Sequence, residues 1–250
     1  MNIVIIGSGN VAYHLAKAFA ENQIPVKQIF GRNENDLKSI SEELKIPYSV
    51  DNLEDADLYL ISVSDSSIAE VSQKIEKNSA LVAHTSGSVS RDTLVGNYRK
   101  SVFYPLQTFS KSKKLEYSEI PFFIDAENDE DKKLLENLAK KISPKVIFAD
   151  DDKRKYIHLT AVFACNFVNH LYARAKEISD SQEIPFDYFL PLIDETTQKI
   201  HEIEPKKAQT GPAVRNDEKV LKIHESLISD EEHLEIYKIM NQSIKKMYEL

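Results

Sequence analysis

Residues 1–19 read MNIVIIGSGNVAYHLAKAF, and this stretch decides the fold. A short apolar run at 2–6 passes directly into Gly7-Ser8-Gly9-Asn10-Val11-Ala12 and then into a pattern of helical period. In a strand-turn-helix unit spaced GxGxx(G/A), the first glycine permits a tight turn and the second lets backbone approach a pyrophosphate. A small third residue lets the helix pack on the strand. Here these are Gly7, Gly9 and Ala12. The free N–H groups and the positive end of the helix then face the diphosphate. Gly7, Ser8, Gly9, Asn10 and Val11 are therefore candidate cofactor ligands; the alternative is a tight turn with a structural role only.

The rest of the first 150 residues extends this unit. Short β-branched or aromatic runs at 26–30, 58–63, 80–84, 101–104, 121–125 and 145–149 read as strands. Helical patterns at 10–21, 34–44, 67–76 and 129–142 alternate with several of them. Alternation predicts an α/β domain of Rossmann type over 1–150, with a mostly parallel sheet and helices on both faces. After the acidic stretch Asp150-Asp151-Asp152 the helical period takes over, which predicts an all-helical domain over 151–250.

Composition narrows the partners. A formal charge of −8 disfavours nucleic acid and anionic membranes, and Lys111-Ser112-Lys113-Lys114 reads as a solvated loop. The one cysteine, Cys165, allows no internal disulfide and suggests a cytoplasmic setting. The N-terminal run is short, lacks a basic flank and breaks at Gly7, so it reads as a strand and not as a signal peptide. No apolar stretch approaches the ~20 residues of a membrane helix. The seven histidines form no HxxxH or Cys/His cluster, so no metal is expected.

The second strand ends at Gly31-Arg32-Asn33, where an NAD site usually carries an acid. A guanidinium suits a 2′-phosphate, and a carboxylate repels one, so these three residues predict NADP. The alternative leaves Arg32 solvated and gives Glu34 the place of the acid. Ligands of an open α/β sheet lie beyond the carboxyl ends of the strands. Val63-Ser64-Asp65 there either lines the cofactor ribose or caps a helix. His84-Thr85-Ser86 either flanks the nicotinamide or forms a turn. Tyr104-Pro105-Leu106-Gln107-Thr108-Phe109 closes another strand, and its Pro and Gln either shape the pocket or leave Leu106 and Phe109 to packing.

The run 156–175, YIHLTAVFACNFVNHLYARA, is apolar nearly all round, which predicts a helix buried by neighbours or by a partner subunit. At 100° per residue, His158, Asn166 and Asn169 project within roughly a quarter-turn of one another. They either satisfy one another structurally or receive a polar substrate. Cys165 reads as a free core cysteine. In Thr210-Gly211-Pro212-Ala213-Val214-Arg215-Asn216-Asp217, Arg215 is a candidate clamp for a carboxylate or phosphate, and Asp217 caps the next helix or orients Arg215.

Taken in order, GSGNVA, VSDSSI, HTSGS, YPLQTF, HLTAVFACNF and GPAVRND resemble bacterial two-domain proteins that join a Rossmann-like domain to the domain of unknown function 2520, described as NADP oxidoreductases. The resemblance spans essentially the whole chain. The layout is more distantly similar to pyrroline-5-carboxylate reductases, F420-dependent NADP reductases and β-hydroxyacid dehydrogenases. It implies a helical C-terminal domain that forms a homodimer and completes the active site. One departure is clear: β-hydroxyacid dehydrogenases carry a lysine four residues before a helix asparagine, and here the position four before Asn166 is Val162.

These readings predict hydride transfer between NADP(H) and a small polar, anionic substrate in a cleft between the two domains. His158 or His84 exchanges the proton, Asn166 and Ser86 orient the substrate, and Arg215 holds its anionic end. The competing expectations are an NADP-binding sensor or assembly protein without turnover, and an F420-linked NADP reductase.

Overall fold

A computed structural model describes residues 1–250. Its eight strands are β1 (Ile3–Ile6), β2 (Val26–Phe30), β3 (Tyr48–Ser49), β4 (Leu58–Ile61), β5 (Leu81–His84), β6 (Arg99–Pro105), β7 (Phe122–Ala126) and β8 (Val146–Phe148). They form one sheet in the order β3-β2-β1-β4-β5-β6-β7-β8. Every neighbouring pair is parallel except β6 and β7. That exception has a simple cause: residues 106–121 contain no crossover helix, so the chain returns antiparallel. The two-residue strand β3 is too short to leave a periodic signal, and the sequence did not reveal it.

Alternating side chains cover both faces of the sheet. Ile3, Ile5, Leu58 and Leu60 pack into one apolar layer with α1 (Asn10–Glu21), α2 (Glu34–Leu44) and, further on, Leu135 of the later helix at 129–140. Val4, Ile6, Tyr59 and Ile61 pack on the other side with Ile68 of α3 (Ile68–Ser72) and with Leu94. A sheet covered on both faces explains why its strands read as continuous apolar runs and not as alternating ones. α3 is shorter than the 67–76 expected, because Asp65–Ser67 forms a separate 3-10 turn ahead of it.

The C-terminal half contains α4 (Asp129–Lys140), α5 (Asp151–Ala161), α6 (Val168–Ser181), α7 (Leu190–Glu202), α8 (Pro205–Ala208), α9 (Glu218–Leu227) and α10 (Glu231–Met247). Asp150 does not lie in a linker: its side chain accepts the Lys153 N–H at 2.9 Å and caps α5. One turn on, Arg154 is fully buried and its Nη2 donates to Val89 O at 2.6 Å and to Asp151. The start of α5 is thus fastened to the sheet domain. The chain divides into compact units at 1–166 and 167–250, so the expected division at 150 leaves α5 on the wrong side.

Between α5 and α6, residues Val162–Phe167 form a π-helical stretch. The apolar run 156–175 is not buried within the chain: Tyr156 in α5 is 73% and Phe163 in the π-helical stretch 64% exposed. Cys165 is exposed as well, which corrects its reading as a core cysteine.

In the second unit, Asp217 caps α9 through the Val220 N–H and Asp230 caps α10 through the His233 N–H. His224 Nδ1 lies 2.9 Å from Tyr237 Oη, and Arg174 pairs with Glu177 and Glu232. Only Ser179, Ala213 and Leu221 are buried there, while Tyr188, Leu192, Leu227 and Ile239 are largely exposed.

Candidate functional site: a cavity from the glycine turn to a Tyr–His pair

The turn after β1 is built close to its neighbours. Gly7 has φ +132°, a conformation that side chains rarely adopt, and a Cβ there would stand 2.2 Å from Ser62 O. Its N–H donates to Phe30 O at 2.7 Å. Gly9 is different: a Cβ added to it would meet nothing within 4 Å. The first glycine lets the chain turn, and the second leaves space in front of the N-terminus of α1.

That space belongs to a cavity of about 520 Å³, in the size range of small-molecule sites. Its floor is the turn at residues 7–11. Gly31, Arg32 and Asn33 line one side; Ser62, Val63 and Ser64 line the other; Thr85, Ser86, Gly87 and Ser88 continue toward Tyr104 and His158. All the residues expected to contact the cofactor therefore meet in one cavity. The open space before Gly9 and the free helix end fit a diphosphate, and the exposed Arg32, which makes no ion pair, fits a 2′-phosphate. No group of three or more His, Cys, Asp or Glu side chains is arranged to hold a metal ion.

A segment that the sequence left as loop braces the turn. Asn10 Nδ2 donates to Phe109 O at 2.9 Å, and His14, buried, contacts Tyr117 Oη and Ser110 O, each at 2.9 Å. Lys111 is not simply solvated, because its Nζ lies 3.0 Å from Asp36 Oδ1. The other Asp36 oxygen accepts from Asn33 Nδ2 at 2.7 Å. Asp36, in the first turn of α2, is thus already engaged by a cation and an amide.

At the opposite end, Tyr104 Oη and His158 Nδ1 are 3.1 Å apart, and their rings meet edge to face. A Cβ on Gly87 would approach Tyr104 Cζ to 2.6 Å and His158 Nδ1 to 2.8 Å, so glycine is needed where the pair forms. Burial pushes the Tyr104 phenol up to about 12, so it stays protonated at neutral pH. The sequence did not assign Tyr104 a role. Its place at the end of β6 was the available signal, but a partner 54 residues away leaves no local pattern.

The remaining candidates fall elsewhere. His84 is fully buried and does not line the cavity; its Nδ1 accepts the Ser86 N–H at 3.2 Å, and its Nε2 has no partner. Burial, and then the Arg154 charge, hold it down at about 4, so it is neutral and cannot supply a proton near pH 7. Its expected acid/base role is therefore corrected. It supports the 84–86 turn, and Ser86 Oγ continues that turn by accepting the Ser88 and Val89 N–H groups. Asn166 and Asn169 are exposed, and the Asn166 side chain makes no hydrogen bond and is not part of the cavity. Arg215 belongs to the second unit, where it is exposed and does not pair with Asp217, the cap of α9.

Comparisons with known proteins agree with this fold. A crystal structure from Bacteroides fragilis, described as a "putative NADP oxidoreductase", is 41% identical with TM-score 0.93 and 98% of each chain covered. A protein of Thermotoga maritima is 20% identical with TM-score 0.82, over 99% of this chain and all of the other. A reductive aminase from Aspergillus terreus in complex with NADPH and ethyl-5-oxohexanoate shares the fold at 13% identity and TM-score 0.70, over 98% of this chain and 94% of that one. No curated protein matches. NADP, named for the Bacteroides fragilis protein and bound as NADPH in the Aspergillus terreus one, is the nucleotide that the Gly31-Arg32-Asn33 loop predicts. A family model described as NADP oxidoreductase, coenzyme F420-dependent, matches residues 2–86, and one described as domain of unknown function DUF2520 matches 120–244. With that match over half of its length and a 41% identical relative along nearly all of it, the chain belongs to the DUF2520 family.

Proposed function

We propose that the protein is an NADP-dependent oxidoreductase that reduces or oxidises a small polar carbonyl or imine compound, with the Tyr104–His158 pair moving the proton. The observation that carries this reading is the 3.1 Å Tyr104–His158 contact, set at the far end of the cavity that starts at the glycine turn. The bound nucleotide supplies or accepts hydride at its nicotinamide. The residues around it do the rest. Gly9 and the N-terminus of α1 bind the diphosphate, and Arg32 with Asn33 binds the 2′-phosphate. In its protonated form His158 donates from Nδ1 to the Tyr104 oxygen, which orients the ring, and passes its Nε2 proton to the substrate oxygen or nitrogen as the carbon receives hydride; the ring is left as neutral imidazole and takes the proton back in the reverse direction. Ser86 and Thr85 orient the substrate by hydrogen bonds.

No lysine stands at position 162, so the chemistry does not depend on an ammonium group on that helix. The anionic end expected for the substrate rested on Arg215, which is not among the residues of the cavity, so the reading here extends only to a small polar compound.

The test is NADPH consumption with a panel of imines, keto acids and aldehydes. Turnover by the wild type and its loss in His158→Gln, with NADPH affinity kept, supports the reading. A protein that binds NADPH and consumes none across the panel is a sensor instead, and hydride exchange only with a deazaflavin identifies the F420-linked alternative.

The second unit supports a homodimer. A helical unit with three buried residues and exposed Tyr188, Leu192, Leu227 and Ile239 buries little of its own apolar surface, and a second copy would cover it. Sedimentation equilibrium that finds only monomer at micromolar concentration removes this part. No helix is long and apolar enough to cross a membrane, and the single cysteine supports a cytoplasmic setting.

A further inference from the structure

Arg32 is not the only unpaired cation on the cavity wall. In the sheet, β2 and β4 flank β1, so the loops that follow them rise on either side of the glycine turn. The loop after β2 carries Arg32. Beyond β4, the cavity is lined by Ser67, Glu70, Val71 and Lys74, spaced i, i+3, i+4 and i+7. That spacing puts them on one helical face, and the Lys74 N–H bonded to Val71 O at 3.1 Å carries the turn past the end of α3. Val71 is half-buried against the core layer that includes Phe30, and Lys74 is exposed.

Glu70 stands four residues before Lys74, the favourable order for an ion pair, yet the two do not form one. Arg32 also makes no ion pair, and Asp36 in the helix that follows is held by Lys111 and Asn33. The cavity therefore has two uncommitted cations on two walls and two exposed acids, Glu70 and Asp65, the second of which accepts the Ser88 hydroxyl. A 2′-phosphate carries close to two negative charges and three acceptor oxygens, more than one guanidinium satisfies.

We propose that Lys74 is the second cation of the 2′-phosphate site, across from Arg32, and that it determines the preference for NADP over NAD. This rests on the NADP reading above. Val71 then lies between the two cations as the apolar surface for the adenine ring.

The experiment measures binding of 2′,5′-ADP and 5′-ADP by calorimetry, with no turnover involved. Lys74→Gln weakens 2′,5′-ADP about ten-fold, as for the loss of one charged hydrogen bond, and leaves 5′-ADP within about two-fold. Lys74→Arg restores most of the loss. If Lys74→Gln leaves 2′,5′-ADP unchanged while Arg32→Gln abolishes the preference, Lys74 has no part and the NADP reading stands. Equal losses for both nucleotides also overturn the role of Lys74, since the phosphate is then not its target. A wild-type protein that does not prefer 2′,5′-ADP overturns both.

Discussion

The Tyr104 hydroxyl meets the His158 imidazole Nδ1 at 3.1 Å over a backbone position, Gly87, that has no room for a side chain. A strand end, a turn and a helix thus converge on two polar atoms. The local sequence around each of them is unremarkable.

Gly87→Ala tests how tightly that convergence is built. The added methyl meets Tyr104 and His158 inside contact distance, so one ring must move and the hydrogen bond is lost. Turnover falls by about ten-fold to a hundred-fold while NADPH affinity stays within about two-fold, because the alteration lies at the far end of the cavity. Kinetics with fluorescence titration of NADPH reads both values.

Tyr104→Phe and His158→Gln act as a unit. Each alone lowers turnover by about a hundred-fold, the usual contribution of a positioned acid/base group, and the double variant is little worse than either. A double-mutant cycle in which the losses simply multiply contradicts a shared proton path.

The two glycines of the N-terminal turn separate folding from binding. Gly7→Ala combines a positive φ with a 2.2 Å clash against Ser62 O, so its melting temperature falls sharply or it fails to fold. Gly9→Ala has open space and folds like the wild type. Its methyl stands where the diphosphate approaches, so NADPH affinity drops by at least about ten-fold. Thermal melts and calorimetry on the pair show opposite patterns.

Acid stability has two distinct limbs. His84 is held at about 4 against an ordinary value of 6.5, so the unfolded chain binds the proton first. Stability is complete above about pH 6.5 and declines as pH falls toward 4, by on the order of 3 kcal/mol. Burial raises the Asp151 carboxyl, but the Ser90 hydroxyl, the Arg154 guanidinium and the Arg91 N–H outweigh burial and hold it at about 2. Its contribution is present above the ordinary 3.8 and is lost as pH drops through 2. Urea melts from pH 7 to 2 show the first limb flattened in His84→Gln and the second in Asp151→Asn.

The sequence by itself determined the α/β sheet, the glycine turn, the Arg32 loop and most strand positions. Each is a local pattern, a turn chemistry or an apolar period set by residues adjacent in the chain. Tertiary structure alone decided that β7 runs antiparallel, that α5 is fastened to the sheet by a buried Arg154, and that His84 is neutral and withdrawn from the cavity. It also decided that Tyr104 faces His158 and that Lys74 shares a cavity with Arg32. These facts depend on burial and on distances between residues far apart in the chain. Both arise only when the strands lie side by side and their loops meet at one edge.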